Sequence, residues 1–161
     1  MKALVNAMLY DYESFHQNSY VLFDREIEAI GPMDEFPGAD YVYDLSGSMV
    51  LPGLLNCHTH IYSAFSKGLN VPYNPKSLKD ILDQLWWKLD GVLDGNAVYS
   101  SGLVYGIDCI KNGVTSIIDH HASGLIIKGS LELLKKAICD DLGLRGIFCF
   151  ETSDRFDVEQ C

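Results

Sequence analysis

Basic side chains are scarce in this sequence: 12 Lys and Arg stand against 22 Asp and Glu, a formal net charge of −10. Nucleic acid is held by clustered cations, so this balance argues against it as a partner. No apolar run approaches the roughly 20 residues that span a bilayer. The opening MKALVNAMLYDYESFH has neither a signal-peptide core nor an A-x-A cleavage site. A cytoplasmic protein without membrane contact is the expectation. The five cysteines are odd in number and show no C-x-x-C spacing, which argues against a disulfide framework or a Cys-type zinc knuckle. Neither G-x-G-x-x-G nor G-x-x-x-x-G-K-[ST] occurs, so no loop is built to cradle phosphate.

What is present is globular composition, 48% hydrophobic, in a chain long enough for one ordinary domain. The first fifty residues read as short strands at Ala3–Leu9, Tyr20–Phe23, Glu26–Ile30, Tyr41–Asp44 and Met49–Leu51. Turn-forming pieces such as Gly31-Pro32 and Phe36-Pro37-Gly38 separate them, and Pro52-Gly53 closes the β-rich stretch.

Beyond that point the period changes. Leu54-Leu55 leads a short strand into Cys57-His58-Thr59-His60. Ser77 opens a helix, with Asp80 completing a shortened capping box. Leu78, Ile81, Leu82, Leu85, Trp86 and Leu89 then make one apolar helical stripe. A second helix is expected over Ala97–Lys111, stopped at Asn112-Gly113. A third is expected to be capped by Ser130 and to run to Asp141. Between and after them, Val114–Asp119 and Leu144–Phe150 read as strands. Strand, helix and strand in short succession predict a parallel sheet with helices outside it. Ligands in such sheets lie beyond the carboxyl ends of the strands. The polar residues following each strand are therefore the candidates: Cys57–His60, Asp119–Ser123 and Glu151–Arg155.

His58 and His60 are the sharpest chemical signal. Residues two apart on a strand project to one face, so both imidazoles can reach one cation at the ~2.0–2.1 Å of a zinc–nitrogen bond. Two solvent-facing histidines near a strand end are the plain alternative. The preceding apolar strand and β-rich leader favour the metal.

LPGLLNCHTH (Leu51–His60) resembles the metal-binding start of the amidohydrolase superfamily barrel, which follows an N-terminal β-sandwich segment. LWWKLDGVLD (Leu85–Asp94), GVTSIIDHHAS (Gly113–Ser123), KGSL (Lys128–Leu131) and GLRGIFCFETSDR (Gly143–Arg155) together resemble the SsnA-type aminohydrolases of the cytosine deaminase and chlorohydrolase branch. The fold this implies is α/β. Residues 1–52 would form a β-sandwich-like segment, and residues 53–161 the first three βα units of an incomplete (β/α)₈ TIM barrel. The implied activity is metal-dependent hydrolysis of non-peptide C–N or C–Cl bonds, most often deamination of an aminated heterocycle. One divalent ion, zinc ahead of iron, would be held by His58 and His60. The resemblance allows a homodimer for the full-length parent. In the family, further histidine ligands come from strands five and six and a catalytic aspartate from strand eight, so no catalytic residue is carried over to this chain. Taken alone it is expected to be inactive, as a fragment, a truncated gene product or one part of a split enzyme.

Asp119, His120, His121 and Glu151 are the remaining site candidates, as substrate contacts or supports for a metal ligand. One of the two adjacent histidines should point towards the site and the other away. A third-ligand role for His120 is open on spacing, although the family pattern places none there. Against these readings stand a self-bonded loop with Asp119 as its turn residue, and an Arg155 ion pair with Glu151 or Asp154. Trp86 fits the core stripe, and Trp87 beside it could line a pocket entrance. Two other classes stay open: the polymerase-and-histidinol-phosphatase hydrolases, against which the β-rich leader argues, and a catalytically dead remnant that serves only to bind a partner.

Overall fold

The computed structural model describes residues 1–156 and Glu159. These divide into two compact units, Met1–Pro52 and Gly53–Cys161. No helix among the described residues is long and apolar enough to cross a membrane.

The first unit is one five-stranded mixed sheet, not the two stacked layers of a sandwich. Strand β1 (Lys2–Tyr10) pairs antiparallel with β2 (Phe15–Phe23), and β2 pairs antiparallel with β3 (Ile27–Pro32). The short β4 (Tyr41–Asp44) and β5 (Met49–Val50) run parallel to β1 on its other side. Each face carries a small apolar cluster. Ala3, Val5 and Tyr20 lie in one, and Ala7, Leu9 and Val21 in the other. The register of β1 against β2 shifts between Leu4 and Ala7, where Asn6 takes φ 52°. Such a bulge re-aims the strand's alternation. The β2 strand is longer than its sequence predicts because Phe15–Asn18 is exposed and carries no apolar alternation to mark it; pairing with β1, the Phe15 ring stacked on Tyr10 and the His16–Asp11 contact hold it there.

In the second unit β6 (Leu54–Thr59), β7 (Val114–His121) and β8 (Arg145–Phe150) form a three-stranded parallel sheet in sequence order, as the strand–helix–strand pattern implies. A 3₁₀ turn, Ile61–Ser66, follows β6. Helix α1 (Leu78–Ile81) continues through a π-helical turn, Leu82–Trp86, into α2 (Trp87–Asp90). Ser77 Oγ accepts from Asp80 N at 3.2 Å, so the predicted cap is present; Asp80 itself accepts from Lys76 N. The π turn rotates the apolar stripe. Trp86 and Leu89 pack on the core while Leu78 is 72% exposed, which corrects the expectation of one continuous buried face.

Helix α3 (Gly95–Lys111) is capped by Asp94, which accepts from Ala97 N at 2.8 Å, and ends before Gly113 at φ 76°. Helix α4 (Ser130–Lys135) runs into a second π turn, Lys136–Asp141. Its N-cap is Gly129 at φ 93°, not Ser130, which is buried and donates its hydroxyl to Ile127 O. Val98 of α3, Leu134 and Ile138 of the α4 segment, Ile117 of β7 and Ile61 form the core.

After β7 the chain returns to the end of α2 at very close range. Gly124 N donates to Asp90 O at 2.8 Å. A Cβ on Gly124 would sit 2.8 Å from the carbonyl oxygen of Gly91 and 2.9 Å from its Cα. Backbone cannot yield as a flexible side-chain tip does, so Gly124→Ala is expected to cost about 1–3 kcal/mol, read as a lowered midpoint in thermal unfolding.

Candidate metal centre

The histidines sit where β6 gives way to the 3₁₀ turn, and β7 holds them from the side. Asp119 Oδ1 accepts the backbone N–H of Ile61 at 2.7 Å, fixing the turn that begins directly after His60. The ring of His60 bonds through Nδ1 to the carbonyl oxygen of His120 at 2.9 Å. A carbonyl only accepts, so Nδ1 carries the hydrogen, and in the neutral ring Nε2 keeps its lone pair. The His58 and His60 rings lie side by side, centroids 5.4 Å apart and planes at 82°. His120 stands 5.5 Å from His60 on the other side. Cys57, His58, Thr59, His60, Ile118, Asp119, His120 and Cys149 line one shallow hollow.

These two rings fit a divalent cation in donor type and spacing. A separation of 5.4 Å falls within the span of two imidazoles that share one ion at ~2.1 Å from each nitrogen. Fixing the distal nitrogen on a carbonyl is the usual way a ligating histidine is oriented. Among the described residues no group of three or more His, Cys, Asp or Glu side chains is placed to hold a metal ion.

Asp119, His120 and His121 lie within β7, not in a loop after it. Alternation then separates the two histidines as expected: His120 is exposed and His121 fully buried. His121 packs against Tyr62 and Phe150. Its Nε2 meets Ser123 Oγ at 3.1 Å, and the Ser123 hydroxyl donates to Ile126 O. The serine hydrogen is thus committed, so His121 Nε2 donates, and Nδ1 has no partner among the described residues. Burial pulls the His121 imidazolium down to about 4. On nearby Asp119, burial pushes the carboxyl up to about 7, against the opposing Ile61 N–H and His60; its Oδ2 has no partner among the described residues.

Glu151 accepts from Arg155 at 2.8 Å, and Arg155 also forks onto both oxygens of Asp90 at 3.1 Å each. The ion-pair reading of Glu151 and Arg155 therefore describes the structure; among the described residues Arg155 pairs with Asp90 and Glu151, not with Asp154. The Arg155 guanidinium stacks over Trp87 and Phe156, which places Trp87 against this cation. Sequence reasoning passed over Asp90, 1% exposed, because its partner lies 65 residues away. It also passed over Asn56 and Tyr105; the Tyr105 hydroxyl accepts from both Asn56 and Thr59 behind the histidines.

The amidohydrolase family model matches residues 49–160. A 5-methylthioadenosine/S-adenosylhomocysteine deaminase of Desulforudis audaxviator is 28% identical over 124 residues, covering 74% of this chain and 26% of that protein. A 5'-deoxyadenosine deaminase of Methanosarcina acetivorans is 32% identical over 117 residues, covering 73% and 26%. Among solved structures, the atrazine chlorohydrolase TrzN of Arthrobacter aurescens complexed with zinc superposes with a TM-score of 0.75 at 20% identity, over 93% of this chain and 35% of that one. E. coli guanine deaminase gives 0.69 at 14% identity, over 92% and 37%. The chain thus spans between 26% and 35% of the length of the curated relatives it matches.

Proposed function

The chain belongs to the amidohydrolase family, and from that premise we propose that it carries the first metal-binding strand of a metal-dependent hydrolase of the aminohydrolase type. In this reading β6, β7 and β8 are the first three strands of a (β/α)₈ barrel, preceded by the β-rich unit of residues 1–52. The names of the relatives support the reaction class, hydrolysis at a C–N or C–Cl bond of a small heterocycle. The observation that carries the proposal is the side-by-side His58–His60 pair, with His60 Nδ1 tied to the His120 carbonyl.

His58 and His60 would hold one divalent ion, zinc ahead of iron. When bound, such an ion lowers the pKa of a coordinated water to near 7 and so supplies hydroxide at neutral pH. This chain's part is to present two imidazole nitrogens, with the His60 ring held in a fixed orientation. The His120 carbonyl sets the His60 tautomer, and the Asp119 carboxylate anchors the turn beyond it through Ile61 N–H. Both thus support a ligand. His120, exposed beside the pair, would touch substrate, whereas the buried His121 would support the site from the interior. Glu151 is engaged by Arg155 and shapes the segment after β8. The reading requires at least one further protein donor and a separate acid–base group. With two donors alone, this chain is expected to bind metal without turnover.

Isothermal titration of the purified chain with zinc chloride tests this. Uptake of one ion is expected, with the dissociation constant raised at least about tenfold in His58→Ala and in His60→Ala. Unchanged binding in both variants would remove the metal reading.

A further inference from the structure

Behind the two histidines the sheet is not regular. Asn56 pairs with Ile117 and Thr59 with Asp119, so an extra residue is accommodated on β6 between those two pairs. Asn56 and Thr59 are an odd number of residues apart and on a regular strand would face opposite sides. Here both side chains reach the same atom, the hydroxyl of Tyr105 on α3. Asn56 Nδ2 donates to it at 3.0 Å, and the Thr59 hydroxyl at 2.6 Å. Asn56 Oδ1 in turn lies 3.4 Å from the backbone N–H of His58 and accepts from it. The bracket therefore grips β6 on both sides of His58. It draws Asn56 and Thr59 to the helix side and leaves His58 and His60, which alternate with Thr59, on the other.

We propose that Tyr105 is a positioning residue for the His58–His60 pair, its hydroxyl pinning the bulge through Asn56 and Thr59. The proposal rests on the metal reading above. Its physical content is register: a slip of one residue turns every side chain of a strand to the opposite face, and here it would carry His60 towards the helices. Apolar packing does little to prevent that slip, because Leu54 and Leu55 are both more than half exposed. The polar bracket is the specific restraint, and it is anchored in a helix that the core also holds through Val98 and Cys109, with the Tyr105 ring packed against the same core.

Tyr105→Phe keeps the ring and removes the hydroxyl. Long-range ¹⁵N–¹H correlation spectra of the imidazole rings, recorded on the full metal-free chain and assigned with His58→Ala and His60→Ala, are expected to show both rings displaced in Tyr105→Phe. They should be unmoved in Val98→Ala, a destabilised control on the same helix. Zinc titration is expected to show affinity lowered about 10–100-fold in Tyr105→Phe, the range for groups that orient a ligand, and unaltered in Val98→Ala. Unmoved rings, or zinc affinity within about twofold of the parent, would overturn the role of Tyr105. If zinc affinity survives Tyr105→Phe but not His58→Ala, only this inference fails. If it survives His58→Ala and His60→Ala as well, the metal reading fails.

Discussion

Replacing Arg155 by Met is expected to lower the free energy of unfolding by about 3 kcal/mol, the low end of the range for removing one partner of a buried ion pair. Asp90 is 1% exposed and has both carboxylate oxygens on the guanidinium. Burial already pushes its carboxyl above the ordinary value, and the Arg155 hydrogen bonds and charge are the main opposing influences. With the cation gone, the acid must fold either as an uncompensated charge or with a proton taken up. That choice gives the loss a sign in pH. The folded-state pKa in the variant stands further above the unfolded value, so the folded chain binds more protons and stability falls as pH rises through the interval between the two. Urea unfolding should therefore show a larger deficit at pH 8 than at pH 5. Asp90→Asn should cost less at pH 8, since Arg155 is 18% exposed and retains Glu151. A deficit in Arg155→Met that does not change with pH, with Asp90→Asn costing nothing, would show that Arg155 acts by packing on Trp87 and Phe156 alone.

Asp119 and His121 are expected to reveal opposite slopes of stability with pH once separated. In the unfolded chain between pH 4 and 6.5, Asp119 is ionised and His121 protonated, near their ordinary values of 3.8 and 6.5. In the folded chain the proton sits on Asp119, whose carboxyl is raised to about 7, and His121, lowered to about 4, is neutral. Each state binds one proton, so the pair contributes no slope in that window. His121→Phe leaves Asp119 alone. The folded state then holds the extra proton, and stability should fall as pH rises from about 4 to about 7. Asp119→Asn leaves His121 alone. The unfolded state then holds the extra proton, and stability should rise from about 4 to about 6.5. At 1.36 kcal/mol per pH unit of full imbalance, each variant should tilt by roughly 2 kcal/mol between pH 4.5 and 6.5, in opposite senses. Urea midpoints in the presence of a chelator at the two pH values measure this; parallel tilts would refute it.

The parallel arrangement of β6, β7 and β8 and the helices between them were legible in the chain because hydrophobic period and punctuation are local. His58 and His60 were legible for the same reason: a two-residue spacing on a strand fixes their common face without tertiary information. The separation of His120 from His121 followed from alternation alone. What the sequence could not disclose depends on partners far along the chain. Asp90 reads as one more surface acid until Arg155, 65 residues later, folds onto it. Tyr105 reads as one more residue of the helix expected over Ala97–Lys111 until Asn56 and Thr59 meet its hydroxyl. Ser130 carries the chemistry of a cap, yet the left-handed Gly129 takes that position and the serine turns inward. The π turns escaped notice because an extra residue in a helical turn leaves composition unchanged and alters only which side chains face inward.

The meeting of Gly124 with Gly91 has a consequence for how this sequence can drift. Main chain abuts main chain there, with the Gly124 amide already committed to the Asp90 carbonyl. A side chain at position 124 has no rotamer that avoids Gly91, since the clash begins at its first carbon. Residue 124 can acquire bulk only if the turn carrying Gly91 is rebuilt in the same step. Variation at this spot should therefore arrive as a replaced loop, not as a point substitution.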